Sequence, residues 1–222
     1  HFCGFYYPIR EVIPIAIYHW NIGIVSRGKG KSAVAAAAYR SGEKLTNEWD
    51  GMTHDYTRKG GVVHNEIMLP PHAPPSFSDR STLWNSVELY EKAGNAQLAR
   101  EIDAALPIEL SREEQIRLVR EYCSSQFVSK GMCVDFAIHD TDSGNPHCHI
   151  MLTMRPLDER GAWAAKSKKE YDLDENGERI RLPSGRYKTR KVDLMDWNRQ
   201  ENADLWRKAW ADLANDYLER SG

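Results

Sequence analysis

Three observations predict a mixed α and β chain. Residues 137–153, AIHDTDSGNPHCHIMLT, alternate as two strands around a turn: Val134, Phe136 and Ile138 lead in, Ile150 and Leu152 lead out, and 141–146 carry the turn residues. Alternating or short apolar runs recur at 15–26, 62–69 and 99–106, each stopped by Pro or Gly. Stretches with helix-capping signals, above all 32–45 and 111–127, separate them, and 194–220 repeats apolar residues at helical spacing.

The 222 residues suffice for one large domain or two small ones with a real core. An apolar content of 41% with seven tryptophans argues for a packed globule and against disorder. No run of about eighteen apolar residues occurs, so no membrane insertion is expected. Cys3, Cys123, Cys133 and Cys148 form no CxxC pair, which at this chain length fits reduced thiols and a cytoplasmic location.

The net charge of −2 hides an uneven distribution. Residues 20–60 hold seven Lys and Arg against four Asp and Glu, residues 166–191 nine against five, and residues 79–121 six against nine. A basic face able to meet phosphates is therefore compatible with an acidic total.

Residues 1–14 are separated by Pro14 from the strand pattern of 15–26 and are expected to be an appended or upstream-derived segment, the functional domain being 15–222; an extra edge strand is the other reading. The loop SRGKGK (26–31) has neither Walker A nor Rossmann spacing, and its Arg27, Lys29 and Lys31 suit a polyanion backbone. Ser32 caps an alanine-rich helix that ends near Gly42; Tyr39 stands out on it, with Arg40 and Lys44 placed on one helical side. Residues 47–61 read as a loop, 62–69 as a strand, and Asp79 as the cap of a further helix. Residues 99–106 favour a strand because Pro107 follows; Glu101 and Asp103 then share a face and are candidates for supporting a metal or orienting a histidine. Ser111 and Glu114 form a capping box. Residues 164–190 read as a mobile loop or a small hairpin about 175–178, and Trp197, Trp206 and Trp210 as core.

Three of the eight histidines lie between positions 139 and 149. His147 and His149 are two apart in a strand and must share a face; pairing that brings His139 opposite them makes an open three-histidine metal site. Three neutral imidazoles leave coordination positions for a substrate oxygen, and Cys148 alternates away from them. The attacking group is then either a metal-bound water or a side chain.

The order AIYHW, SRGKGKSAVAAAAYRSGEKL, DYTRKGGVVHNEI, LAREIDAALPIEL, HDTDSGNPHCHIMLTMRP resembles the relaxase domain of the MobA/MobL family of plasmid mobilisation proteins, in the HUH endonuclease superfamily, over about residues 15–220. That resemblance implies an α+β fold: an antiparallel sheet with a central metal-binding hairpin and helices packed on the sheet, over one face. It implies a strand-specific nick at a transfer origin, with Tyr39 attacking the scissile phosphate to leave a 5′-phosphotyrosyl link, then rejoining. His139, His147 and His149 match the metal triad, for Mn²⁺ or Mg²⁺. Glu101 and Asp103 fall in the acidic strand as the remaining catalytic candidates; relatives often have Glu where this chain has Asp103, one methylene shorter.

The implied partners are single-stranded and hairpin DNA at the origin, together with accessory mobilisation or coupling proteins. Arg27, Lys29, Lys31, Arg40, Lys44, Arg58, Lys59, Lys166, Lys168, Lys169, Arg186, Lys188, Arg190 and Lys191 are the expected DNA contacts. The rivals are a replication initiator or transposase of the same superfamily, a water-using metal hydrolase, and a DNA-binding module with a structural metal.

Overall fold

The computed structural model describes residues 19–141 and 144–221. The segment 1–14, the start of the first expected strand and part of the hairpin turn lie outside the described residues. Five strands form one antiparallel sheet: β1 (Trp20–Ser26), β4 (Val62–Met68), β5 (Gln97–Ala105), β6 (Val134–His139) and β7 (His147–Thr153), in the order β1-β5-β7-β6-β4. The expected hairpin is β6–β7, and β7 is the middle strand.

Two cores flank the sheet. The helices α1 (Ala33–Ser41) and α2 (Arg80–Tyr90) bury Ala33, Val34, Ala37, Ala38, Leu83 and Trp84 with Val25, Ala99 and Met151 of the strands. On the opposite face α3 (Arg112–Gln126) and α4 (Glu201–Ser221) bury Leu118, Tyr122, Trp206 and Trp210 with Ile102, Phe136, Ile138, Cys148, Ile150 and Leu152. The sheet is therefore covered on both faces, not on one as expected. The physical reason is in β6, which is buried at every position: a strand without a solvated side needs a layer on each face.

The second core is aromatic. Tyr122 lies edge-on to Phe127 and Trp210, at 5.3 and 5.0 Å between centroids, and donates its hydroxyl to Trp206 O at 2.9 Å. Arg100, buried on β5, donates to Trp197 O at 2.8 Å and Asn198 Oδ1 at 2.9 Å, tying the approach to α4 onto the sheet. Trp197, Trp206 and Trp210 are all buried, as expected.

In the first core Asp135 is the acidic residue of the buried strand β6, and its neutralisation organises that face. Arg80 grips it with two bonds of 2.8 and 2.9 Å, and Trp84 Nε1 donates a third at 2.8 Å. Arg80 also reaches Glu43 and, at 3.2 Å, Asn65 Oδ1, so the chain leaving α1 is fastened to α2 and the sheet together.

Residues 47–61, expected as a loop, contain half of a short hairpin, β2 (Lys44–Thr46) with β3 (Thr53–Asp55). Lys44 therefore leaves the helix: Gly42 closes α1 in the left-handed region at φ 71°, and Lys44 sits on β2 beside Asp55. The polar stretch after β7 is a longer hairpin than expected, β8 (Ser167–Tyr171) with β9 (Thr189–Asp193). No helix among the described residues is long and apolar enough to cross a membrane.

Candidate metal centre

Register builds the centre. In the β6–β7 hairpin His139 stands opposite His147 and Ala137 opposite His149, so all three histidines project from the face that α1 covers. Each offers a ring nitrogen within 4.8 Å of the others'. On the other side of β7, Asp103 stands opposite His149, and in the next pairing Gly23 stands opposite Glu101.

Each ring's second nitrogen is held by an oxygen. His149 Nδ1 donates to the Asp103 carboxylate, which fixes the tautomer and turns Nε2 inward. His147 Nδ1 donates to Asn145 O at 3.0 Å, with the same result. His139 Nε2 donates to Arg40 O at 2.6 Å, leaving Nδ1 as its lone-pair nitrogen. A carbonyl or carboxylate can only accept, so three lone pairs remain for a shared cation. Burial pushes the His139 pKa down to about 4, with the neighbouring His149 and Lys59 adding to it. Burial also lowers His149, outweighing the opposite pull of Asp103, so both rings are neutral near pH 7. This donor set fits a divalent ion: neutral nitrogens with fixed outer partners and, among the described residues, no fourth protein ligand to close the site.

The contact to Arg40 O depends on the alanines of α1. Ser32 caps the helix, accepting from Ala35 N at 3.1 Å, and Glu88 Oε1 accepts from Ala33 N at 2.7 Å. With small side chains buried on its inner face, Ala33, Val34, Ala37 and Ala38, the helix approaches closely, and one of the carbonyls at its C-terminus reaches His139. Tyr39, the residue before Arg40, is 47% exposed. Its ring stands edge-on to Tyr56 at 5.2 Å, and Lys59 Nζ lies 3.7 Å from its centroid.

Glu101 does not reach a histidine. Its carboxylate binds Arg40 and, at 3.2 Å, Lys31. Gly23 makes the room: a Cβ there would meet Glu101 Oε1 at 2.9 Å. Glu101 is thus linked to the triad by way of Arg40, whose carbonyl meets His139. The Arg40 guanidinium, expected to contact DNA, is mostly buried against that carboxylate.

Arg27 departs further from expectation. It pairs with buried Glu88 at 2.8 Å, donates to the carbonyls of Glu88, Glu91 and Ala93, and stacks on Trp49 at 4.0 Å. Those carbonyls end α2 and begin its exit loop, so Arg27 caps a helix and is consumed by the fold. Lys166 is likewise turned to Glu91, at 2.8 Å. On the β8–β9 hairpin Lys168, Lys188, Arg190 and Lys191 are exposed but each faces a carboxylate of that hairpin: Glu170, Asp172, both of these, and Asp193 respectively. Lys29, Arg58, Lys169 and Arg186 are exposed.

Fold and site together define a sheet protein whose three-histidine hairpin is bonded to the end of an alanine-rich helix that also carries an exposed tyrosine. Residues 31–222 match the MobA/MobL family, and the chain belongs to it. It is 39% identical over 219 residues to the conjugal transfer protein TraA of Rhizobium radiobacter, covering 94% of this chain and 19% of that protein. To the mobilization protein MobL of Acidithiobacillus ferridurans it is 34% identical over 233 residues, covering 94% of this chain and 56% of that one. The chain thus spans under two thirds of either relative. A solved structure described as the molecular basis of vancomycin resistance transfer in Staphylococcus aureus shares the fold at a TM-score of 0.79 and 33% identity, over 93% of this chain and 95% of that one.

Proposed function

We propose that the chain is a relaxase that nicks one DNA strand at a plasmid or mobile-element transfer origin through Tyr39 and later rejoins it. The hydrogen bond from His139 Nε2 to Arg40 O carries this reading, because it locks the helical turn bearing Tyr39 onto the triad. His139 through Nδ1, and His147 and His149 through Nε2, would hold a divalent ion, Mn²⁺ or Mg²⁺. When bound, that ion supplies positive charge for the non-bridging oxygens of a phosphodiester.

The Tyr39 hydroxyl attacks the scissile phosphorus. Its O–P bond forms as the bond to the 3′ oxygen breaks, and the proton leaving the phenol is matched by one taken up at that oxygen. One phosphodiester replaces another, so the step is reversible and a free 3′ hydroxyl can later reseal the strand. Asp103 holds the tautomer of His149, and Glu101 holds Arg40. Exposed cations, among them Lys29, Lys31, Lys44, Arg58, Lys169 and Arg186, take the phosphates of single-stranded and hairpin DNA, giving a strong salt dependence. Action in the cytoplasm beside accessory mobilisation or coupling proteins follows from the same reading.

The test uses the full chain, Mn²⁺ and single-stranded DNA from its own origin region, labelled at the 3′ end. A denaturation-resistant protein–DNA adduct is expected with the native chain and none with Tyr39→Phe. An adduct from Tyr39→Phe, or cleavage to free ends alone, refutes the tyrosine mechanism. Nicking at the native rate in chelator, or with His147→Ala, refutes the role of the triad. A binding module would shift the DNA and never cut it.

A further inference from the structure

Among the described residues Lys59 is the side chain that touches both Tyr39 and a triad histidine. Its Nζ donates to Tyr39 O at 2.9 Å, lies 3.7 Å from the Tyr39 ring centroid and stands 3.4 Å from His139 Nδ1. The loop that carries it is fastened at both ends. Tyr56 N donates to Glu43 O at 3.1 Å, and Asp140 N to Gly61 O at 2.8 Å. Gly61, at φ +80°, is needed for that approach: a Cβ would stand 2.8 Å from Thr141 Cγ2 and 3.2 Å from Asp140 O.

Charge balance sets Lys59 apart from its neighbours. Arg40 and Lys31 share the carboxylate of Glu101, whereas Lys59, half-buried beside the like charge of Arg40, pairs with no carboxylate among the described residues. A half-buried ammonium paired with no carboxylate among the described residues, between a nucleophile and a phosphate-activating centre, is suited to an incoming anion. His139 Nδ1 can serve one cation only. Lys59 must yield that lone pair when the triad holds an ion, keeping Tyr39 and freeing an N–H.

We propose that Lys59 is a further catalytic residue of this centre, donating to a non-bridging oxygen of the scissile phosphodiester while it holds Tyr39 in place. The proposal rests on the tyrosine-nicking reading. Negative charge grows on those oxygens as the Tyr39 oxygen adds, so an ammonium there binds the transition state more tightly than the ground state.

The experiment measures single-turnover adduct formation by the full chain with Mn²⁺ and origin single strands, for the native protein, Lys59→Met and Lys59→Arg. Mn²⁺ affinity without DNA is titrated in parallel. Lys59→Met keeps the packing of the stem and loses the charge, so the rate is expected to fall about 100-fold with DNA affinity changed by less than about threefold. Lys59→Arg is expected to recover about tenfold or more of that loss, which a packing role does not explain. Mn²⁺ affinity is expected to be unchanged or tighter in Lys59→Met, since a like charge leaves the site.

A Lys59→Met rate within about threefold of native overturns the proposal. So does Mn²⁺ binding that weakens in step with the rate, which would make Lys59 a support for His139 only. Lys59→Gln repeats the comparison if Lys59→Met fails to fold. A native chain that forms no adduct refutes the nicking reading and takes this proposal with it; a normal adduct from Lys59→Met refutes this proposal alone.

Discussion

Asp103→Asn changes a single charge in the shell around the triad and keeps the side chain's shape. Asp103 accepts the Nδ1 proton of His149, and this bond turns His149 Nε2 toward the other two rings. Burial pushes the Asp103 carboxyl up, but the hydrogen bond from His149, with the charge of Arg40, brings it below the ordinary carboxylate range. It is therefore ionised at neutral pH, and the bond is charge-assisted. Such bonds contribute about 1.5–3 kcal/mol against about 1 for a neutral pair. An asparagine keeps an acceptor but loses about 1–2 kcal/mol of the preference for this tautomer, which is about 5- to 30-fold in the affinity of the triad for an ion. Replacing the outer partner of a ligating histidine elsewhere costs about 10- to 100-fold, a range that overlaps this one. Calorimetric titration of Mn²⁺ into the full chain near pH 7 measures the effect, with Asp172→Asn on the exposed hairpin as the control. Mn²⁺ binding by Asp103→Asn within about twofold of native, while His147→Ala abolishes it, would show that Asp103 does not set the ligand geometry.

Arg27 and Lys29, two residues apart in one basic loop, are expected to behave oppositely. Arg27→Ala should lower the urea midpoint by about 2–4 kcal/mol of stability, since it strands buried Glu88 and the end of α2. Lys29→Ala should leave stability unchanged and reduce the slope of log affinity against log salt for single strands by about 0.7. Equal stability losses in the two variants would contradict the placement of Arg27. Glu91 supplies a pH test. Burial pushes its carboxyl up, but the bonds and charges of Arg155 and Lys166 more than reverse this, leaving it below 4.5. A depressed folded value means stability present at neutral pH and lost as pH falls through it. Native protein should exceed Glu91→Gln by about 1–2 kcal/mol at pH 7 and lose that margin as the pH falls through the depressed value of the Glu91 carboxyl. A margin independent of pH in urea denaturation would refute the assignment.

Much of the centre was readable along the chain because strand and helix periods are local. A two-residue period puts His147 and His149 on one face, and Glu101 and Asp103 on another strand's common face, before any partner strand is known. The same locality made the caps at Ser32, Asp79 and Ser111 visible, and the structure forms all three. The lone aspartate of β6 was a further signal, unused: a charge in a wholly buried strand requires a partner, and Arg80 supplies it.

Tertiary structure decided what spacing does not encode. Composition counted Arg27, Arg40 and Lys166 as available cations, and the fold turned each onto an internal carboxylate, because a buried acid is costly until a cation meets it. Which nitrogen each histidine offers depends on oxygens brought from outside the triad; for His139 that oxygen is 99 residues away in sequence, on α1. Lys59 entered as one basic residue among fourteen in the expected DNA contacts, and only chain closure across 80 residues sets it against His139 and Tyr39. Sequence by itself determined which side chains share a face; docking of the alanine helix decided which of them meet, because that contact is between elements and has no period of its own.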